Sequence, residues 1–277
     1  AEISEMAKTR RLLALVTLVA AARPLAAQEP AKEKAIQDNS FLMEESYNQE
    51  PRVVQHISSF TLASGTHDAV FTFTQEWPVG GVKNQLSYTI PLQNLPESAG
   101  GTRFGDVALN YRYQLVGDGD AKVACSPRFT LFLPTGSARL GYGSGAVGYQ
   151  IDLPVSVVIS ERLVTHVNAG LTLVPHSEDA QGEKATTFGQ NLGWSVVWLA
   201  RPLLNFLVEA VVTRDQDVTG SGNAETHSHA VISPGVRWAW NLKGNLQVVP
   251  GIAFPIGVGP SWGEKSVLIY LSFEHPF

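Results

Sequence analysis

The side chains able to do chemistry in this chain sit at alternate positions of short apolar segments, not in a catalytic cluster. Asp106, Asn110 and Arg112 share a period-2 face opposite Val107, Leu109, Tyr111, Tyr113 and Leu115. Asp152 shares one with Gln150, Pro154 and Ser156, opposite Tyr149, Ile151, Leu153, Val155, Val157 and Ile159. Glu76, Arg128, His166, Glu209 and Arg237 extend this inward set, which carries both signs of charge. Around water, such a wall sets up a transverse field that orients a polar solute. In a narrow lumen the same charges pair across neighbouring strands and fill the space. The sequence leaves both outcomes open.

Other chemistries lack a constellation. In His227-Ser228-His229 the serine points away from both histidines on a strand, and Gly141-Tyr142-Gly143-Ser144-Gly145 has nucleophile-elbow spacing with no helix after it. The missing helix also argues against a phosphate loop. His227 and His229 share a face without a third metal ligand. No catalytic residue, metal or cofactor is therefore expected. Cys125 is the single cysteine, which excludes an internal disulfide and reads as a small apolar strand residue.

The elements that must position the inward set are strands. Alternation marks twelve, at 52–62, 68–77, 83–92, 103–115, 121–133, 148–159, 162–174, 187–199, 203–213, 228–240, 245–256 and 265–277. Each is close to the ~9–11 residues with which a tilted strand crosses a bilayer. Connections after the even strands are short and rich in turn formers: 78–82, 116–120, 160–161, 200–202 and 241–244. Those after most odd strands are long: 93–102, 134–147, 175–186, 214–227 and 257–264, the short 63–67 being the exception. Unequal ends kept over a whole chain predict an all-β transmembrane antiparallel up-and-down barrel, with periplasmic turns and external loops.

Aromatic residues support the assignment of faces. Trp77, Tyr111, Tyr113, Trp198, Trp238, Trp240 and Phe277 are outward-set and gather at the short-turn end, as an interfacial girdle would. Pro91, Pro127, Pro154, Pro234 and Pro250 fall inside the predicted strands and each removes a ladder donor, so the barrel is expected to be distorted.

The ends of the chain fit export. Residues 1–27 read as a secretory signal: Lys8, Arg10 and Arg11, an apolar run over 12–22, then small residues up to Ala27, with residues 1–5 preceding Met6. That run falls short of the ~20 residues of a spanning helix. Residues 28–50 are expected to be a periplasmic lead-in or a short plug helix capped by Asn39 or Ser40, and 51–277 the barrel. The final strand ends on Phe277 and is expected to close the barrel and to engage the barrel-assembly machinery. Of 277 residues only 16% are charged, against a usual ~25%. Net charge is −5 and no basic cluster follows the signal, so nucleic acid is excluded as a partner.

The run Asp38-Asn39-Ser40-Phe41-Leu42-Met43-Glu44-Glu45-Ser46-Tyr47-Asn48-Gln49-Glu50-Pro51 leads into Val54-Gln55-His56-Ile57. It is followed by Gly105 to Leu115, by Pro127-Arg128-Phe129 with Leu133-Pro134-Thr135-Gly136, by Gly148-Tyr149-Gln150, and by His166, Asn168, Ala169 and Gly170. In this order the motifs resemble a family of outer-membrane transporters grouped under the MetA pathway of phenol degradation. The resemblance implies an outer-membrane barrel passing small molecules, and names no substrate. Together these readings predict a passive channel for small, aromatic or hydrophobic solutes, facing outer-membrane lipid and lipopolysaccharide. The alternatives are a sealed structural or adhesin-like barrel and, further off, an outer-membrane hydrolase.

Overall fold

The computed structural model describes residues 35–98 and 100–276; the expected signal over 1–27 and the terminal Phe277 lie outside the described residues. One antiparallel sheet closes on itself, with β1 (Val53–Ala63) paired to β16 (Ser266–Pro276) from Val53 opposite Pro276 to Ala63 opposite Ser266. Between them run β2 (Ala69–Pro78), β3 (Asn84–Asn94), β4 (Thr102–Phe104), β5 (Val107–Tyr113), β6 (Val123–Cys125) and β7 (Arg128–Leu133). These are followed by β8 (Gly148–Ser160), β9 (Leu163–Glu178), β10 (Lys184–Arg201), β11 (Leu204–Gly220), β12 (Asn223–Trp238), β13 (Trp240–Asn241), β14 (Gln247–Ala253) and β15 (Ile256–Gly257). Four consecutive pairs, β4/β5, β6/β7, β12/β13 and β14/β15, are single staves interrupted once, so the sixteen segments make a closed twelve-stranded barrel.

Each interruption faces a proline on a neighbouring stave. Gly105, in the β4/β5 gap, donates to Pro91 O at 3.0 Å, Ser126, between β6 and β7, to Pro154 O at 3.3 Å, and Phe254, between β14 and β15, to Pro234 O at 3.0 Å. The β12/β13 gap lies across from Pro250, between the pairs Arg237 with Gly251 and Trp240 with Val248. A proline offers a carbonyl but no N–H, so the ladder across from it keeps one bond and loses the next. The distortion expected from the prolines takes the form of these four interruptions; further register shifts fall at Val158/Ser160, Ala185/Thr187, Leu199/Arg201 and Val218/Gly220.

Burial is inverted relative to a water-soluble protein. Leu109, Ile151, Leu192, Trp194 and Ile269 are exposed, whereas Gln55, Arg112, Asp152, His166, Glu209 and Arg237 are buried. In β5 the burial pattern alternates residue by residue, with Ala108, Asn110 and Arg112 inside and Leu109, Tyr111 and Tyr113 outside, as predicted. Lipid in place of water on the outside makes this the stable arrangement, because backbone groups are satisfied by ring closure. No helix among the described residues is long and apolar enough to cross a membrane; the crossing elements are strands.

Two expectations fail. The loops predicted over 175–186 and 214–227 are largely strand: β9 continues to Glu178, β10 begins at Lys184, β11 continues to Gly220 and β12 begins at Asn223. Arg214 to Asp217 pair with Ser228 to Glu225 in unbroken register. At ~3.3 Å per residue these strands are much longer than a bilayer requires. Beyond the lipid both faces meet water, so the alternation that marks a strand disappears while pairing persists. The short helix expected within 39–49 also does not form; the segment is irregular, with bends at 41–43. Five of its backbone donors, at Phe41, Leu42, Ser46, Asn48 and Gln49, go to wall side chains instead of to helical bonds.

Candidate functional site

The site is the barrel interior, and its content is the irregular segment over 36–49. Ile36 N donates to Pro202 O at 2.8 Å, beside the β10–β11 turn, and at the far end Asn48 Nδ2 donates to Val82 O at 2.8 Å, in the β2–β3 turn. Between these anchors the wall supplies acceptors to the segment's amides. Glu209 accepts from Phe41 N (3.1 Å) and Leu42 N (2.8 Å), Ser156 from Ser46 N (2.9 Å), Gln114 from Asn48 N (2.9 Å) and Gln85 from Gln49 N (2.7 Å). The wall also donates: Arg237 to Asn39 O at 2.5 Å, Asn205 to Gln37 O at 2.9 Å and Gln114 to Ser46 O at 2.7 Å. The polar groups aimed inward by strand alternation therefore serve the backbone of a chain that has no sheet of its own.

Inward-facing glycines make room for its bulky side chains. A Cβ on Gly235 or Gly251 would stand 2.6 Å from ring atoms of Phe41, and one on Gly193 would stand 2.7 Å from Met43 Sδ. The Phe41 ring also tilts against Tyr270, centroids 5.1 Å apart, and Arg237 lies over the same Tyr270 ring, 5.1 Å from its centroid.

The predicted inward residues divide into groups. Arg112 and Arg128 stand directly opposite each other on β5 and β7, a like-charge pairing that is unfavourable by itself. Glu44 resolves it, with Oε2 at 3.2 Å from Arg112 Nη1 and Oε1 bonded to Arg128 Nη1. Glu76 stands 3.6 Å from Arg112 Nη2 and accepts from Gln85 Nε2 at 2.9 Å. Asp152, although opposite Arg128 in register, accepts from Asn168 (3.1 Å) and Asn191 (3.0 Å). His166 bridges Ser156 Oγ at 2.8 Å and Asp38 O at 3.0 Å. Asn110 is held within the wall by Ser87 and Thr130, at 3.1 and 2.8 Å.

Asp106 does not join this group. The interruption opposite Pro91 takes it out of the strand, and its carboxylate accepts from Gly136 N (2.9 Å), Ser144 N (2.8 Å) and Ser144 Oγ (2.7 Å), clasping the loop over 134–147. The elbow-like Gly141 to Gly145 lies in this loop, just after a 3-10 turn over Ala138–Leu140. His227 stands 3.7 Å from Asp217, while His229 faces Ser261 Oγ at 3.5 Å, so the two histidines have separate partners.

Within the segment, burial pushes the Glu45 carboxyl up to about 8 despite the nearby Arg112, and raises the Tyr47 phenol. Glu45 accepts from Asn39 Nδ2 at 3.0 Å. Cavities of about 190 and 150 Å³ remain beside the segment, and Glu44 and Arg128 border both.

Outside, Trp77, Tyr111, Tyr113, Trp198, Trp238 and Trp240 lie at the short-turn end; Trp198 stacks on Phe206 (5.6 Å) and Trp238 meets Trp240 edge-on (6.3 Å). Phe277, the seventh predicted member, is outside the described residues. A second band of exposed rings, including Phe60, Phe71, Phe104 and Tyr149, lies toward the other end and was not anticipated. The alternation also missed Phe41, Met43 and Glu44. Glycines at inward strand positions 193, 235 and 251 were the available signal, because glycine inside a strand marks a close approach.

The family model for the Putative MetA-pathway of phenol degradation matches residues 46–260. The chain belongs to this family. The match to this phenol-degradation family runs from Ser46 to Pro260, short of the closing strand, and leaves Phe41, Met43 and Glu44 just before it. In fold, the barrel is similar to an outer membrane channel from Pseudomonas putida F1, with a TM-score of 0.56 at 13% identity over 91% of this chain and 100% of that one. It is also similar to the NanC porin, with a TM-score of 0.53 at 11% identity over 79% of this chain and 98% of the other. No curated protein matches the sequence.

Proposed function

We propose that the protein is a non-enzymatic outer-membrane channel for small solutes, reached through a lumen that residues 36–49 occupy. The observation that carries this reading is the inverted barrel: an apolar exterior around an interior of charged, amide and hydroxyl side chains, including Arg112, Asp152, Glu209 and Arg237. Lipid explains the exterior, and a hydrated path explains why the interior is polar rather than filled with aliphatic side chains. Membership of a family named for phenol degradation supports small aromatic solutes as the cargo. The exposed tryptophans and tyrosines at the short-turn end support an interfacial girdle on the periplasmic side, with lipopolysaccharide facing the long-strand end. In this orientation residues 28–50 form the periplasmic lead-in and plug, after a signal ending near Ala27, and the last strand is the contact for barrel assembly.

No energy-coupling or nucleotide motif is present in the sequence, so passage would follow a gradient. Single-channel recording of the purified full chain in a planar bilayer tests the reading. Discrete conductance steps are expected; a silent bilayer with correctly folded protein would favour the sealed structural barrel, which the occupied lumen supports as the second reading.

A further inference from the structure

We propose that Arg112 and Arg128 form a carboxylate-binding site in the lumen, which Glu44 occupies as a tethered stand-in for a small carboxylate solute. The inference deepens the channel reading and rests on it for physiological meaning. Two guanidiniums placed opposite each other in register demand an anion between them, and a carboxylate, with an oxygen for each, fits that demand. Glu44 supplies one oxygen to each arginine. The wall offers no replacement in the same position. Asp152 is engaged by Asn168 and Asn191, and Glu76 approaches Arg112 from its other nitrogen. Arg128 donates through Nη2 to Gln150 at 3.3 Å, while its buried Nε has no hydrogen-bond partner among the described residues. Withdrawal of Glu44 would leave Arg128 charged and without a contacting carboxylate among the described residues, ready for another carboxylate.

The surroundings fix the size of that ligand. The cavity of about 190 Å³ beside Glu44 and Arg128 corresponds to roughly six waters at ~30 Å³ each. That is the scale of a single-ring carboxylate. Phe41, Met43 and Val211 are among the residues that line the cavity and offer the ring apolar contacts within a mostly polar lining. Glu44 can leave without unfolding a helix or strand, because its segment has neither and is held by other bonds to Glu209, Ser156 and Gln85. It is also the more exposed of the two adjacent glutamates, 27% against buried Glu45.

The test is calorimetric titration of the detergent-purified full chain with benzoate, and with benzamide as the neutral counterpart. A tethered competitor acts at an effective concentration of order millimolar. Glu44→Gln should therefore bind benzoate at least about tenfold more tightly than the parent, with Glu44→Asp between them and benzamide inert throughout. Arg112→Gln/Arg128→Gln should lose benzoate binding. No gain in Glu44→Gln, or equal binding of benzamide, overturns the site. If Glu44→Gln fails to give a heat-modifiable barrel, the Glu44→Asp gain decides in the same way. Bilayer recordings of the same preparations separate the two readings. Benzoate binding with a silent bilayer overturns the channel alone, and conductance without a gain in Glu44→Gln overturns the carboxylate site alone.

Discussion

Gly251→Ala should loosen the lumen segment while leaving the barrel intact. Its new Cβ would lie 2.6 Å from Cε1 and Cζ of Phe41 and 3.1 Å from Arg237 Cγ. Carbon atoms pack at ~3.5–4.0 Å, so the ring must retreat by about 1 Å. It has nowhere to go within the site, because Gly235 and the Tyr270 ring bound its other sides. Gly251 is in extended backbone within β14, so alanine itself is accommodated and favours the strand by ~0.5–1 kcal/mol. Most of the loss falls on the segment, with the Arg237 stem yielding only a few tenths of an ångström. Fully burying a Phe is worth ~1.5–3 kcal/mol and Phe41 is half-buried, so its expulsion costs about 1.5 kcal/mol; each ~1.4 kcal/mol is a factor of ten, and the released form should rise about 10-fold. Hydrogen exchange reads this at the Phe41 and Leu42 amides, which donate to Glu209 in the closed form. Phe41→Leu in the Gly251→Ala background should recover much of the protection. Unchanged exchange in Gly251→Ala, with heat-modifiability preserved, would refute the glycine-cradle argument.

Leu109→Arg places a charge on the lipid face and should cost ~2–4 kcal/mol near the midplane by denaturant titration in lipid; a cost near zero would reverse the assigned faces. Arg at Asn110, which a wide aqueous lumen would tolerate, should also be destabilising here, because Asn110 is bonded to Ser87 and Thr130. Glu45 keeps its proton in the folded state up to about pH 8, whereas the unfolded chain releases it near 4.5. The unfolded state therefore binds fewer protons between these values, and stability should fall as pH rises from 4.5 to 8. Glu45→Gln should remove that part of the slope, and identical denaturant midpoints against pH for both proteins would contradict it. Arg112→Gln/Arg128→Gln should shift reversal potentials toward cation selectivity, and leave Glu44 without its partners at ~3–5 kcal/mol in stability; no change in either quantity would remove the arginines from the lumen's electrostatics.

The staves and their faces were legible in the sequence because alternation is local: a residue's side in a strand follows from its neighbours two positions away, and lipid outside makes the apolar set face outward. Leu109 opposite Asn110 and Ile151 opposite Asp152 needed no tertiary knowledge. Prolines announced distortion, although which ladder broke depended on the stave alongside. Alternation failed wherever its physical cause was missing, as in β11 and β12 beyond the bilayer, where water on both faces leaves Arg214 to Asp217 looking like a loop. It also could not show what fills the lumen. Glu209 meets Phe41 across 168 positions, and Arg128 meets Glu44 across 84. Asp106 likewise looked like a neighbour of Arg112, yet the break opposite Pro91 gives it to the 134–147 loop. Closing the barrel brings distant side chains onto one axis, and only that closure decides which acid meets which arginine.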